Sequence, residues 1–209
     1  MLWPGERPIR VRGLQSHDIA VGRLDPGSRA ALNIVGVDDA ARGAMLGRPG
    51  TFRTSQRFLA DLRLVRNLDG ELTGRGAFHL HAGSGAWPVE IRIVEPAPSG
   101  GAVLLRSRDP IALHSGDRFI LRDTGRRAVI GGGSILDPDP PHRRPEMRDA
   151  VPMLRDALRR DPDAIADTLL AVRGTARLDE LYCDSGGGTP SSTYRAGKLV
   201  MAGSTAREL

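Results

Sequence analysis

The sequence contains little cysteine and few aromatic residues, and each shortage narrows what the chain can be. Cys183 is its one cysteine, which excludes an internal disulfide and a cysteine-based zinc site and makes the reducing cytoplasm the expected compartment. Aromatic residues make up 4% of the chain, so a core has to be built from Val, Ile, Leu and Ala. Since no apolar run approaches the length of a membrane span, we expect no membrane association.

Signatures of catalysis are also missing. The sequence has no G-x-x-x-x-G-K-[ST] phosphate loop and no serine in a G-x-S-x-G context. No lysine follows the triple glycine at 131–133, which we interpret as a glycine kink within a strand pair. His79 and His81 share one strand face, but without a third ligand nearby a half-buried strand pair is favoured over a metal site. We therefore expect no catalytic residues, no cofactor and no metal in this chain.

Basic residues are plentiful but unevenly placed. Lys198 is the single lysine, so 29 of the 30 basic residues are arginines, whose planar fork grips phosphates and carboxylates. From Glu146 to the end there are 9 basic and 10 acidic residues, whereas the first 145 residues hold 21 basic and 15 acidic residues. A basic front half fits a polyanionic partner, and a solvated, arginine-biased surface is the alternative.

Residues 8–136 consist of short apolar segments separated by Gly and Pro turns. Apolar and polar residues alternate most clearly at 58–65, 78–81 and 89–94, while 99–101 is a turn signal. Short strands at this spacing predict an antiparallel sandwich or barrel rather than alternating strands and helices.

The pattern changes at 137–145, where four prolines predict an extended linker. Beyond it, apolar residues recur at helical spacing in two runs, and Asp161 and Pro162 are suited to cap and begin the second helix. A short helix at 178–181 and a strand at 197–202 would complete the helix-helix-helix-strand order of a winged helix-turn-helix unit.

Several segments form a longer pattern when taken in order. They are VRGLQSH (11–17), PGSRAALN (26–33), RGAMLGRPG (42–50), GDRFILRD (116–123), GGGSILDP (131–138) and PPHRR (140–144). The first three resemble the barrel of translational GTPases of the elongation factor Tu type. The whole series, across residues 2–144, resembles the selenocysteine-specific translation elongation factors.

This resemblance implies a mainly β fold with translational-GTPase-type antiparallel β-barrels, one incomplete and one complete, and then a small winged-helix-like segment. The implied domains are a partial domain-two barrel at 1–50, a domain-three barrel at 51–137, a Pro-rich linker at 138–145 and a partial winged-helix domain at 146–209. The GTPase domain, with its GTP and magnesium, and the terminal winged helices that grip the mRNA hairpin have no counterpart in the pattern. The sequence therefore resembles a fragment of such a factor.

The resemblance also implies a function, which is the delivery of selenocysteinyl-tRNA to the ribosome. Selenols are more acidic than thiols, whose pKa is about 8.5, so selenocysteine is an anion at neutral pH while serine is neutral. The family places an arginine for this discrimination in the strand that here contains Arg29. Domain three touches the tRNA backbone, and Arg118, Arg122, Arg126 and Arg127 are the candidates for such contacts.

Two alternatives remain open at this point. One is a stand-alone β-barrel interaction module without tRNA affinity, which the reading frame upstream of Met1 would distinguish from the family. The other is a fragment of a different translational GTPase, which would lack the triple glycine and the PPHRR linker.

A barrel without its first strands exposes both an edge and a core face. We therefore expect residues 1–50 to be less stable than residues 51–137, and either to fray or to recruit a second chain.

Overall fold

The computed structural model describes residues 1–37, 40–66, 72–191 and 193–202. Its first strands are short and form two small sheets. They are β1 (Leu2–Trp3), β2 (Arg10–Ser16), β3 (Ile19–Ala20), β4 (Ala31–Val35) and β5 (Met45–Leu46). β1 pairs with β5, and the other three form an antiparallel sheet in the order β3-β2-β4.

The next six strands close into an antiparallel barrel. They are β6 (Thr54–Leu64), β7 (Phe78–Ala82), β8 (Gly85–Ala97), β9 (Gly100–Ala112), β10 (Arg118–Asp123) and β11 (Ala128–Asp137). The strand order is β10-β11-β6-β9-β8-β7, and the pairing of β10 with β7 completes the ring. The predicted mainly β fold with a closed antiparallel barrel is confirmed, while the domain boundaries stay predictions.

Successive side chains along the barrel strands point alternately into the barrel and out of it. In β10, Phe119 and Leu121 are buried, whereas Arg118, Ile120 and Arg122 are exposed. The same pattern in the neighbouring strands fills the barrel with apolar side chains, three of them Phe, so the scarce aromatics are concentrated where they bury most surface.

The sequence does not predict β9, because 99–101 has the pattern of a turn and no alternating segment follows it. Alternation is absent there since both faces of the strand are covered. Val103 and Leu105 point into the barrel, and Ala102 and Leu104 point outward beneath the helices. A strand buried on both faces shows an unbroken apolar run, which periodicity alone does not identify.

The triple glycine lies within β11 and has a structural role, as expected. An added Cβ at Gly131 would collide with the carbonyl oxygen of Arg63, and one at Gly133 would collide with that of Asp61. Residues without side chains therefore let β11 lie close against β6.

The last part of the chain is helical with a small sheet. Its elements are α1 (Arg144–Ala157), α2 (Pro162–Arg173), β12 (Thr175–Arg177), α3 (Leu178–Asp184), β13 (Thr193–Ala196) and β14 (Leu199–Ala202). Asp161 caps α2 as predicted, since its Oδ1 accepts a hydrogen bond from the amide of Ala164 at 2.8 Å. α1 begins at Arg144, within the last two residues of the predicted linker, and Pro145 fits its first turn because the amide it lacks has no helical partner there.

The helices do not build a separate core. Leu59 and Leu104 on the outer face of the barrel pack in one cluster with Val151, Leu154 and Leu169 of the helices. The barrel wall is therefore shared between two apolar clusters, one inside it and one between it and the helices. Among the described residues, no helix is long and apolar enough to cross a membrane.

Candidate nucleic-acid interface

Arg29 lies just before β4 and not within it, which corrects the position inferred from the motif. Its backbone carbonyl accepts a hydrogen bond from Ser16 Oγ on β2 at 3.2 Å, so the strand that carries the motif is tied to its neighbour at this point. The side chain is exposed, and within the described part of the chain its guanidinium has neither a hydrogen bond nor an ion pair. The side chain therefore carries a permanent positive charge and faces solvent.

The sheet beside Arg29 has two unlike faces. The register pairs Val11 with Ile34 and Leu14 with Leu32, so these four apolar side chains share one face. None of them is fully buried; Val11 is 47% exposed. This sheet therefore presents an apolar face that the described residues do not cover.

The four arginines predicted to contact the tRNA backbone lie on β10 and the turn after it. Arg118 and Arg122 project from the outer face of the barrel on either side of Ile120. Arg126 lies 3.6 Å from the carboxylate of Asp123, and Arg127 follows it in the turn with a φ of 53°. All four are exposed, so the structure places them along one strand and its end.

Two histidines lie beside these arginines on the neighbouring strand β7. His79 is the register partner of Arg122, and His81 is the partner of Ile120. Both are half-buried, as expected, and their rings lie 6.4 Å apart. Burial, followed by the positive charges of Arg122 and His79, lowers the pKa of His81. Among the described residues, no group of three or more His, Cys, Asp or Glu could hold a metal ion.

Arg118 also lines a groove of about 700 Å³ on the outer face of the barrel. Its walls include Arg63 of β6, His81 of β7 and Ser134 of β11. Sequence reasoning missed Arg63, although the alternation of Leu62 and Arg63 in β6 was a signal that this arginine faces outward. The groove places two guanidinium groups, a hydroxyl and an imidazole around one depression.

A buried ion network fixes the helices to the barrel. Arg173 of α2 contacts Asp137 of β11 at 2.5 Å and Asp184 of α3 at 2.8 Å, and both carboxylates are fully buried. Arg53 reaches the other oxygen of Asp184 at 2.7 Å. Burial opposes the charge of Arg173, but the two carboxylates outweigh it and raise its pKa. Burial also raises the pKa of Asp184, although Arg173 and Arg53 oppose that rise. The guanidinium of Arg173 therefore keeps its charge, and its two ion pairs hold the helices against the barrel.

The fold of this chain matches part of a solved translation factor. The chain superposes on the crystal structure of a bacterial selenocysteine-specific elongation factor with a TM-score of 0.75 and 19% identity. That match covers 96% of this chain and 33% of the other. The elongation factor SelB of Methanococcus maripaludis, in its apo form, matches with a TM-score of 0.55 and 18% identity, over 66% and 36% of the two chains.

Sequence comparison adds a family match to the similarity of fold. Residues 59–142 match the family described as selenocysteine-specific elongation factor, beta-barrel domain. The selenocysteine-specific elongation factor of Desulfomicrobium baculatum is 28% identical over 141 residues, which are 65% of this chain and 22% of that protein. The barrel region of this chain is therefore similar to the β-barrel domain of the selenocysteine-specific elongation factors. The chain spans about a fifth of this curated relative.

Proposed function

We propose that this chain is the region of an elongation factor that holds selenocysteinyl-tRNA during its delivery to the ribosome. The observation that supports this is the match of residues 59–142 to the β-barrel domain of the family, since those residues include all four candidate backbone-contacting arginines. Phosphate contacts need exposed cations on a rigid frame, and β10 with the turn after it supplies both. The ribosome is the second proposed partner, and the cytoplasm is the proposed location.

The salt dependence of tRNA binding tests this function. Each arginine that neutralises a phosphate releases counterions, so its removal makes the plot of log K against log salt concentration shallower by about 0.9. We expect the 209-residue chain with Arg118, Arg122, Arg126 and Arg127 all changed to Gln to bind a selenocysteine tRNA transcript more weakly and with a slope reduced by about 3.6.

Two arginines elsewhere serve as matched controls for this experiment. Arg92→Gln on β8 and Arg148→Gln on α1 also remove exposed charges, but from positions outside β10 and the turn after it. They should leave the slope almost unchanged. If the quadruple variant and these controls behave alike, the outer face of β10 does not contact RNA.

We further propose that Arg29 recognises the side chain of the amino acid on the tRNA. A guanidinium remains charged at every relevant pH, so it attracts an ionised selenol and gains little from a neutral hydroxyl. The exposed, unpaired side chain supports this role, since its charge is available to a ligand.

Selectivity, rather than affinity alone, tests Arg29. In this chain joined to the GTP-binding domain of a relative, Arg29→Ala should lower the preference for selenocysteinyl-tRNA over seryl-tRNA by about 1.5–3 kcal/mol. Arg23→Ala is the control, because Arg23 is an exposed arginine in the same loop. Equal losses for both tRNAs would show that Arg29 only supports the strand.

A further inference from the structure

The groove on the barrel face continues beyond the barrel. A second depression of about 570 Å³ shares four of its lining residues with the first and extends to the end of α1. The shared residues are Asp61, Arg63, Arg118 and Ser134. One continuous channel therefore runs from β7 and β10, across β11 and β6, to Arg155 and Arg159 on the helical side.

The charges along this channel are unequal in sign. Its lining contains four arginines and one acidic residue, Asp61. Arg155 neutralises that residue, since its Nε and Nη2 lie 2.9 and 2.7 Å from Asp61 Oδ1, and its Nη1 reaches Glu95 at 3.2 Å. Within the described residues, Arg63, Arg118 and Arg159 have no hydrogen-bonded or ion-paired side-chain partner. Three guanidinium groups without an acidic partner thus face the channel, and its one carboxylate is already paired with Arg155.

The channel is preformed, because α1 is held firmly against the barrel. Leu154 of α1 packs with Leu104 of β9 in the shared cluster, and Arg155 is bound by one carboxylate from β6 and one from β8. Ordering of the protein on binding would therefore consume little free energy.

We infer that bound RNA follows this channel past the barrel, and that Arg63 and Arg159 contact phosphates beyond those held by β10. The inference rests on the proposed function and extends its interface onto the helical unit. Charge complementarity favours RNA as the occupant: a backbone with a charge on every phosphate suits a channel with cations along its length. Ser134 adds a hydroxyl that can donate to a phosphate oxygen.

The test uses the 209-residue chain and the same selenocysteine tRNA transcript. Arg63→Gln and Arg159→Gln should each reduce the salt slope by about 0.9, and the double variant should reduce it by about 1.8. Arg159→Lys should retain the slope, because it retains the charge. Arg160→Gln is the matched control: Arg160 is the next residue along the chain and lies 3.6 Å from Asp156, but it does not line the channel.

The outcomes separate this inference from the function on which it rests. If the quadruple variant loses slope while Arg63→Gln and Arg159→Gln do not, RNA binds the barrel but leaves the channel empty, and the inference is overturned. If none of these variants changes the slope, the proposed tRNA contact fails as well. Polyglutamate tests the alternative that the channel binds an acidic protein. If it displaces the tRNA only from proteins that retain Arg159, while the salt slope of tRNA binding is the same with and without Arg159, the channel binds an acidic protein. That result would also overturn the inference. An unchanged thermal unfolding temperature in each variant would confirm that its fold is intact.

Discussion

The barrel and the sheet formed by β2, β3 and β4 are both built from short strands with alternating apolar residues, yet they differ in burial. Leu121 in the barrel is fully buried, whereas Leu32 in the sheet is 40% exposed. Ring closure explains the difference, because a closed barrel covers its own apolar face and a three-stranded sheet needs another element to do so. Alternation thus identifies the side chains that require cover, but not whether the chain supplies it.

Residues 1–50 do not behave as one unit in this comparison. Leu2 and Trp3 are buried, and Trp3 packs edge-on against Phe52 with ring centroids 5.3 Å apart. The N-terminal amine donates to the carbonyl of Gly47 at 2.9 Å. The expected low stability of this region therefore applies to the β2, β3 and β4 sheet, while β1 and β5 are attached to the packed part of the molecule.

The largest expected contrast is in hydrogen exchange. Amides in β4 should exchange orders of magnitude faster than those at 119–121 of β10, because local opening of an edge strand exposes little additional apolar surface. The measurement requires a verified monomer, since a partner at the open edge would protect β4. Equal protection of the two strands in a monomer would contradict the contrast.

The buried ion network should show the next largest effect. Arg173→Ala leaves Asp137 and Asp184 buried with one cation fewer, and loss of one partner from a buried pair costs about 3–5 kcal/mol. Chemical denaturation measures this as a decrease in the free energy of unfolding. Arg177→Ala is the control, since its pair with Asp179 is exposed. Similar losses in the two variants would mean that the network does not fasten the helices to the barrel.

A pair of leucine truncations compares the two regions directly. Leu121→Ala should destabilise the chain by about 2–5 kcal/mol, because it leaves a cavity in a closed core. Leu32→Ala should change stability by no more than about 0.5 kcal/mol, as is usual for exposed positions. Thermal and chemical unfolding of both variants provide the comparison. A large loss from Leu32→Ala would show that the apolar face of the sheet is covered in solution.

Local patterns predicted most of the fold. β7 and β10 alternate cleanly because one face of each meets the barrel core and the other meets solvent, and Asp161 marked the start of α2 through its own capping chemistry. β9 escaped prediction because helices cover its outer face, so its sequence carries no alternation. Whether a strand is covered on one face or on both depends on tertiary packing. A short stretch of sequence carries no information about that packing.

The candidate site was predicted only where residues are close in sequence. Arg118, Arg122, Arg126 and Arg127 lie within ten residues, and the first two belong to the GDRFILRD segment. Arg63 and Arg159 join them only through barrel closure and the docking of α1. The same holds for the network around Asp184, whose partner Arg53 is 131 residues away. Such contacts carry no local signal.

The smallest expected effect is a pH dependence confined to the barrel. Because the folded state lowers the pKa of His81, the unfolded chain takes up a proton at this site first as the pH falls through about 6.5. The contribution of His81 to stability is therefore fully present above this pH and decreases below it.

Bound RNA should act on His81 in the opposite direction, because a nearby polyanion favours the charged imidazole. The affinity for RNA should therefore rise as the pH falls. His81→Gln should flatten both trends, measured by denaturation and by tRNA binding between pH 7.5 and pH 5.5. His17→Gln, in the turn between β2 and β3, should leave both trends in place. If the two variants are indistinguishable, the titration does not belong to the barrel face and His81 is not close to the bound RNA.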